Sequence, residues 1–273
     1  MTAATMAPSV ADRPKHSAFR WAVSDTITIA WRNLVTLRRL PQLLVFATVQ
    51  PVVFVLMFRY VFGGSIVIKG VDHYVDYLMP GVFAQTVAFG SIQTGVGLAE
   101  DLHKGLVERF RSLPMARSAV LAGRTLADLV RNVFVVALMV VIGYMVGFRI
   151  HTNIFGLIGG VGIMLLFGFS LTWIFAIVGL STSNGETAQA ASFPILAPLV
   201  FASSAFVSVK AMPGWLQAFA AHQPVSVAID AVRALTYGGP FASTGKVLAS
   251  LAWSVGIIVV FAPLAIRRYR RVA

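Results

Sequence analysis

The sequence predicts an all-α integral membrane protein: six transmembrane helices, an N-terminal interfacial amphipathic helix, and short helices before the last span. Three observations carry this. The 273 residues are 58% hydrophobic and only 12% charged, where a soluble domain carries roughly 25% charged residues; mean hydropathy is +0.81. Charged residues are absent from six long stretches, and the basic residues cluster in segments that an even number of crossings places on one side. So large an apolar excess cannot be hidden in soluble cores of this size, which excludes a soluble globular enzyme.

Residues 1–18 read as a disordered cytoplasmic tail. The first 42 residues hold no apolar core of signal-peptide type, so no cleavage is expected. Over 19–41, Val23, Ile27, Trp31, Leu34 and Val35 recur at helical spacing, and Thr28, Arg32, Thr36 and Arg39 line another face. Trp21 and Asp25 lie on the same rod, which suits the inner leaflet. Two uses stay open, a simple anchor or a polar face that docks a cytosolic partner.

The remaining chain, 42–273, is one six-span domain. A Lys, Arg or Asp at a helix centre costs about 2.5–3.5 kcal/mol on the insertion scale, so charge-free gaps locate spans. The gaps lie between Arg39 and Arg59, Asp76 and Glu100, Arg131 and Arg149, Arg149 and Glu186, Glu186 and Lys210, and Lys246 and Arg267. Each is close to, or longer than, the roughly 20 residues a spanning helix needs. The expected cores are 43–62, 78–99, 133–148, 154–180, 188–207 and 247–266. Arg59, Arg124, Asp128 and Arg131 fall at or near span ends, where snorkelling suffices.

A further charge-free gap, 211–229, contains Pro213, Gly214, Gln217, His222, Gln223 and Pro224, and the prolines leave pieces too short to cross. It reads as two short helices, 213–221 with Trp215 and Phe219 on one face, and 225–237 ended by Gly238 and Gly239. Asp230 and Arg233, three apart, can pair on the second.

The connection 100–117 is dense in both signs: Glu100, Asp101, Lys104, Glu108, Arg109 and Arg111, with Gly105 early and Leu113–Pro114 closing the run. Lys104 and Glu108 are spaced to pair on a helix. A short amphipathic helix tied to spans at both ends would act as a lever; an ordinary solvated hairpin carrying positive-inside charge explains the same pattern. Most of the 22 basic residues lie before the first span, in this connection, and in the tail Arg267, Arg268, Arg270 and Arg271. With six spans these share one side, so both termini are expected in the cytoplasm. The net charge of +12 then records topology, and no nucleic-acid partner is expected.

The sequence contains no cysteine, which removes disulfides, thiolate metal sites and thiol nucleophiles. The nearest match to a phosphate-binding G-x-x-x-x-G-K-[ST] loop, Gly239 to Val247, has one residue too many and Val after Lys246. Gly179-Leu-Ser181-Thr-Ser183 departs from a nucleophile elbow at its last position. His16, His73, His103, His151 and His222 share no ligand spacing, so no metal site is expected. With no ionisable residue inside the six cores, ion coupling lacks its usual machinery, and a transporter built this way is driven from outside its membrane domain or is a passive pore. Gly143-x-x-x-Gly147 and Gly156-x-x-x-Gly160 are small-xxx-small patterns for close helix approach. Gln50–Pro51, Gln85, Gln93, Pro194 and Pro198 are polar or kinking features facing other protein or a substrate path.

The layout resembles the permease subunits of type-2 ABC transporters, and within them the daunorubicin/doxorubicin-resistance exporter permeases. Four stretches carry it: Leu40-Pro41 through Gln50-Pro51; Tyr77-Leu-Met-Pro80-Gly81; Glu100-Asp101 to Arg109-Phe-Arg-Ser-Leu-Pro114 with Gly123-Arg124; and Met212-Pro-Gly-Trp215 through His222-Gln-Pro224 to Arg233. The resemblance implies a non-catalytic subunit without cofactor. It would pair with an identical or similar permease and with two copies of a separate ATP-binding subunit that hold ATP and Mg. It further implies that Trp21, Asp25, Arg32 and Arg39 sit on the helix cupping that ATPase, and that Glu100 to Pro114 is the coupling helix. Pro213, Trp215, His222, Pro224 and Arg233 would belong to re-entrant helices at the outer mouth. The implied location is a bacterial-type cell membrane, and the implied cargo a hydrophobic or amphipathic drug-like molecule or lipid. A glycoconjugate or polysaccharide exporter is the alternative, and an integral-membrane enzyme, which would need a buried acid, base or metal cluster, a weaker one.

Overall fold

Several helices begin at side-chain caps and stop at glycine or serine. The structure, a computed structural model, describes residues 18–39, 41–63, 68, 70–71, 73–106 and 117–272. The tail expected at 1–18 lies outside these except for its last residue, and Glu108, Arg109, Arg111, Leu113 and Pro114 lie outside them altogether. Among the described residues the secondary structure is helical throughout: α1 (Ala18–Arg39), α2 (Pro41–Leu56), continued by a π turn (Met57–Phe62), and α3 (Tyr74–His103). Then come α4 (Arg117–Val146), α5 (Ile154–Gly179), α6 (Gly185–Phe201), α7 (Gly214–His222), α8 (Pro224–Thr236) and α9 (Thr244–Val272).

Caps explain several boundaries. Asn153 starts α5 by accepting from the Gly156 N–H at 2.8 Å, and Asn184 starts α6 through a reciprocal capping box with Thr187, each satisfying backbone donors that the first turn leaves open. α8 opens on Pro224 behind a Gln223 side chain that accepts from the Val225 N–H. It ends before Gly238 and Gly239, both at positive φ, as the sequence predicts. α6 stops short of the expected 207. Ser203 Oγ donates back to the Val200 carbonyl and accepts from the Ala205 N–H, a local alternative that competes with continued helix.

Among the described residues, three helices are long and apolar enough to cross a membrane: α4 from Ala119, α5 and α9. α3 matches them in length but is more polar, because its residues face protein: 21 of its 30 residues are buried. It packs against α4, α5 and α6 and supplies much of the main core, with Leu78, Met79, Phe83 and Val87 against Met139, Phe148, Met164 and Phe167. α3 crosses α5 closely, so that a Cβ built on Gly95 would strike the Phe175 backbone and one on Gly179 the Gly95 backbone. Gly156 and Gly160 press α5 onto Leu235 and Val232 of α8, so that small-residue pattern packs as predicted. Gly147 does not: at φ +107 it ends α4, and only Gly143 packs, against Met79.

Two expectations need correction. The third span, expected to begin at 133, is part of a helix that begins at Arg117, so Asp128 and Arg131 are mid-helix. The expected helix over 100–117 is interrupted: Glu100 to His103 complete α3, Lys104 caps it, and Gly105 turns the chain at φ +66. Lys104 accordingly pairs back with Glu100 at 2.9 Å, in the favourable order along the helix. That hydrogen bond, reinforced by the Glu100 charge, raises the Lys104 pKa.

α1 docks on α4 through Gly123, where an added Cβ would meet Ile29 and the Thr26 carbonyl. Ile29 and Ala30 are buried there, while Val23, Ile27 and Trp31 form an exposed apolar stripe.

Candidate functional site: an amide-lined cavity between four helices

A cavity of about 370 Å³ opens between α2, α3, α4 and α6. Four glutamines line it, Gln50 of α2, Gln85 and Gln93 of α3, and Gln189 of α6, with Phe89, Phe193, Arg131 and Asn132. Residues that the sequence offers one by one, Gln50–Pro51, Gln85 and Gln93, therefore converge. Pro51 lies inside α2 and lacks the N–H of the helical ladder. Phe89 and Phe193 form one aromatic wall, ring centroids 6.1 Å apart.

From Gly90 and Arg131 on the cavity wall a polar seam runs between α3 and α4. Arg124 pairs with Asp101 at 2.5 Å. One turn deeper Thr94 donates to Asp128 at 2.5 Å, and Arg131 pairs with Asp128 at 3.3 Å while donating to the Gly90 carbonyl at 2.6 Å. Glycines make the room: Gly97 lies under the Arg124 guanidinium and Gly90 beside the Asn132 amide. The seam reads as positions 90, 94, 97 and 101 on α3 against 124, 128 and 131 on α4, each row following the i, i+4, i+7 spacing of one helix face. That spacing of Arg124, Asp128 and Arg131 is the signal by which the sequence could have disclosed it.

Gln85 and Asn132 are 3% and 4% exposed. Gln85 Oε1 and Asn132 Nδ2 have no hydrogen-bond partner among the described residues, whereas such groups are ordinarily paired when buried.

A second constellation lies at the other end of α3. Arg233 is 1% exposed and donates to the carbonyls of Tyr77, Ser204 and Ala205 at 2.7–3.3 Å. Its guanidinium stacks 3.5 Å from the Tyr77 ring centre and pairs with Asp230 at 3.2 Å, the i, i+3 pair the sequence suggests. Lys246 adds a second cation to Asp230 at 3.4 Å. Gly81 admits the 202–208 turn, because any Cβ there would strike the Ala205 backbone. The Tyr77–Gly81 and Pro224–Arg233 stretches thus meet in one clamp. Nearby, Asp76 accepts from the Arg149 N–H and faces His151 Nε2, both at 2.8 Å.

The other candidate residues are dispersed. Trp21, Asp25, Arg32 and Arg39 lie along α1. Pro213 caps α7, which ends at His222 and carries Trp215, 77% exposed.

An all-helical chain with long apolar helices and a polar cavity at a four-helix junction defines a multi-pass membrane protein. Residues 24–237 match the family described as ABC-2 type transporter, and the chain belongs to that family. It is 38% identical, over 96% of its length and 90% of the other's, to a daunorubicin resistance ABC transporter permease protein of Streptomyces coeruleorubidus. It is 30% identical, over 82% of its length and 80% of the other's, to a protein of Mycobacterium tuberculosis described as a probable doxorubicin resistance ABC transporter permease protein. A doxorubicin resistance permease of the same organism is 29% identical over 66% of this chain and 61% of its own.

Proposed function

We propose that the chain is the membrane-spanning permease subunit of an ATP-driven exporter, moving hydrophobic or amphipathic drug-like molecules out of the cytoplasm or inner leaflet. The observation that carries this reading is the amide-lined cavity in a chain of this family. Its volume and its mix of aromatic wall and convergent polar groups suit a drug-sized ligand. Relatives named for daunorubicin and doxorubicin resistance support a drug-like cargo, and none of those named above points to a lipid or glycoconjugate.

In this reading α2 with its π turn, α3, α4, α5, α6 and α9 are the six spans, and both termini face the cytoplasm of a bacterial-type cell membrane. α7 and α8 re-enter the outer mouth, held by Arg233. A second permease subunit, identical or similar, covers α2, α3 and α6, because Gln50, Gln93 and Gln189 are exposed there and unpaired amides are costly against hydrocarbon. Hydrolysis belongs to two copies of an ATP-binding subunit that holds ATP and Mg, contacted by α1 and by Glu100 to Pro114. The α3–α4 seam then connects that coupling segment to the cavity wall, since α3 runs without interruption from Gln85 to Asp101.

Purified alone, the chain should hydrolyse no ATP; co-purified with its ATP-binding partner, the complex should, and drug should stimulate it. Arg109→Glu or Glu108→Lys should lower drug-stimulated turnover about tenfold, the scale of an ordinary coupling free energy, with membrane insertion unchanged. Robust hydrolysis by the chain alone would refute the assignment, and unaltered stimulation in both charge reversals would refute the coupling role.

A further inference from the structure

We propose that the last turn of α9 is a docking site for anionic phospholipid headgroups of the inner leaflet, seated on Arg267, Arg268 and Arg271. The proposal rests on the cytoplasmic placement of the C-terminus and adds the lipid chemistry that this end selects. α9 runs for 29 residues, Thr244–Val272, about 43 Å of helix against a hydrocarbon core of about 30 Å. With 247–266 filling that core, 267–272 continue as helix at headgroup depth. Four arginines stand there, Arg267, Arg268, Arg270 and Arg271, all exposed. None of them forms an ion pair among the described residues, whereas Lys104, Arg124, Arg131, Arg233 and Lys246 each have an acidic partner.

The other face of the turn fixes its rotation. Ala265 and Tyr269 are buried in a cluster with Leu98, Leu121 and Trp173. At 3.6 residues per turn, Arg267, Arg268 and Arg271 project from the opposite side, in line with Trp253, Val260 and Leu264, which are exposed. α9 is also the least buried of the three long apolar helices. One face therefore carries apolar side chains along the hydrocarbon and guanidinium groups where the hydrocarbon ends, the pattern of a helix in contact with lipid. It points away from Leu98 and Leu121, and so from the segment proposed to meet the ATP-binding subunit. A guanidinium fork matches phosphate oxygens, and a headgroup with net negative charge supplies the counter-charge that a zwitterionic one lacks.

The sequence has no cysteine, so Val272→Cys places a single bimane on this chain beside the arginines. The labelled chain, with its ATP-binding partner, is put into phosphatidylcholine vesicles that also hold phosphatidylglycerol or phosphatidylcholine bearing a nitroxide near the top of the acyl chain. Quenching then reports which lipid gathers at the turn. Phosphatidylglycerol should quench at about fivefold lower mole fraction, the gain of roughly one basic contact at a membrane surface, and added salt should shrink the difference. Changing all four arginines to glutamine should make the two lipids equal, and changing them to lysine should keep the preference. Should the glutamine variant fail to insert, Arg268→Gln with Arg271→Gln decides, lowering the preference about twofold. Equal quenching with the arginines intact, or a preference that survives their loss, overturns the site. So does a preference that inorganic phosphate removes at constant ionic strength, which marks a free-anion site. A preference present in the chain alone but abolished by the partner likewise overturns it, giving the arginines to the ATP-binding subunit. In inside-out vesicles a membrane-impermeant maleimide should reach the introduced thiol. A thiol reached only from the outer side refutes the topology and the inner-leaflet site with it, whereas equal quenching around an inner thiol refutes the site alone.

Discussion

Gly179→Leu is expected to eliminate folded protein from the membrane, and Gly179→Ala to lower stability by about 3 kcal/mol, at the upper end of ordinary overpacking. Gly179 faces Gly95 across the α3–α5 crossing, and the first atom of any side chain there meets backbone. A flexible neighbour can turn aside, but a main chain moves only with its helix. α3 is the most enclosed of the long helices, so displacing it opens the core formed with Phe167 and Phe175. Gly162 of the same helix is the internal control. Nothing lies within 4 Å of a Cβ built there, and alanine is favoured over glycine in a helix by up to about 1 kcal/mol, so Gly162→Ala should be neutral or stabilising. Thermal unfolding in detergent, read by light scattering, checks both variants. Equal melting temperatures for Gly179→Ala and Gly162→Ala would show that the crossing is not tight.

Arg233→Met should be the next most damaging change, costing about 3–5 kcal/mol, as expected when one partner of a buried charged network is removed. Asp230 keeps Lys246 and the Ser204 hydroxyl, but the Tyr77, Ser204 and Ala205 carbonyls lose the donor that gathers them. Arg233→Lys should recover little, because one ammonium cannot reproduce a planar fork that reaches three carbonyls and stacks on Tyr77. The measurement is again thermal unfolding, joined by proteolysis of the 202–241 segment, which should become accessible in Arg233→Met. A lysine variant as stable as the wild type would mean that charge alone holds α8 against α3.

The sequence disclosed what is periodic or local. Charge gaps located the long apolar helices, Pro213 and Pro224 the two short ones, and the i, i+3 spacing of Asp230 and Arg233 their pairing. What it concealed is charge satisfied between helices. Reading Asp128 and Arg131 as a span end assumes that a charge in the middle must face lipid or solvent, whereas Thr94, Gly90 and Asp101 meet the row from the neighbouring helix. Gln50, Gln85, Gln93 and Gln189 come from three helices, so no spacing predicts their convergence. Gly95 does sit in a small-residue row, Ser91-x-x-x-Gly95-x-x-x-Ala99, but that row does not say which helix packs on it, and only the crossing pairs it with Gly179.

The half-buried Asp128–Arg131 pair also alters the energetic reasoning. An absence of ionisable groups from the spans argued for an external motor; with an acid and a base inside α4 that absence is gone, and the ATP-driven reading rests on family membership and on the cavity. The most direct test is transport by inside-out membrane vesicles carrying the chain together with its ATP-binding partner. Drug accumulation should require hydrolysable ATP, persist when the proton gradient is collapsed, and disappear when the partner is omitted. Accumulation driven by an imposed pH gradient without ATP or partner would contradict the account.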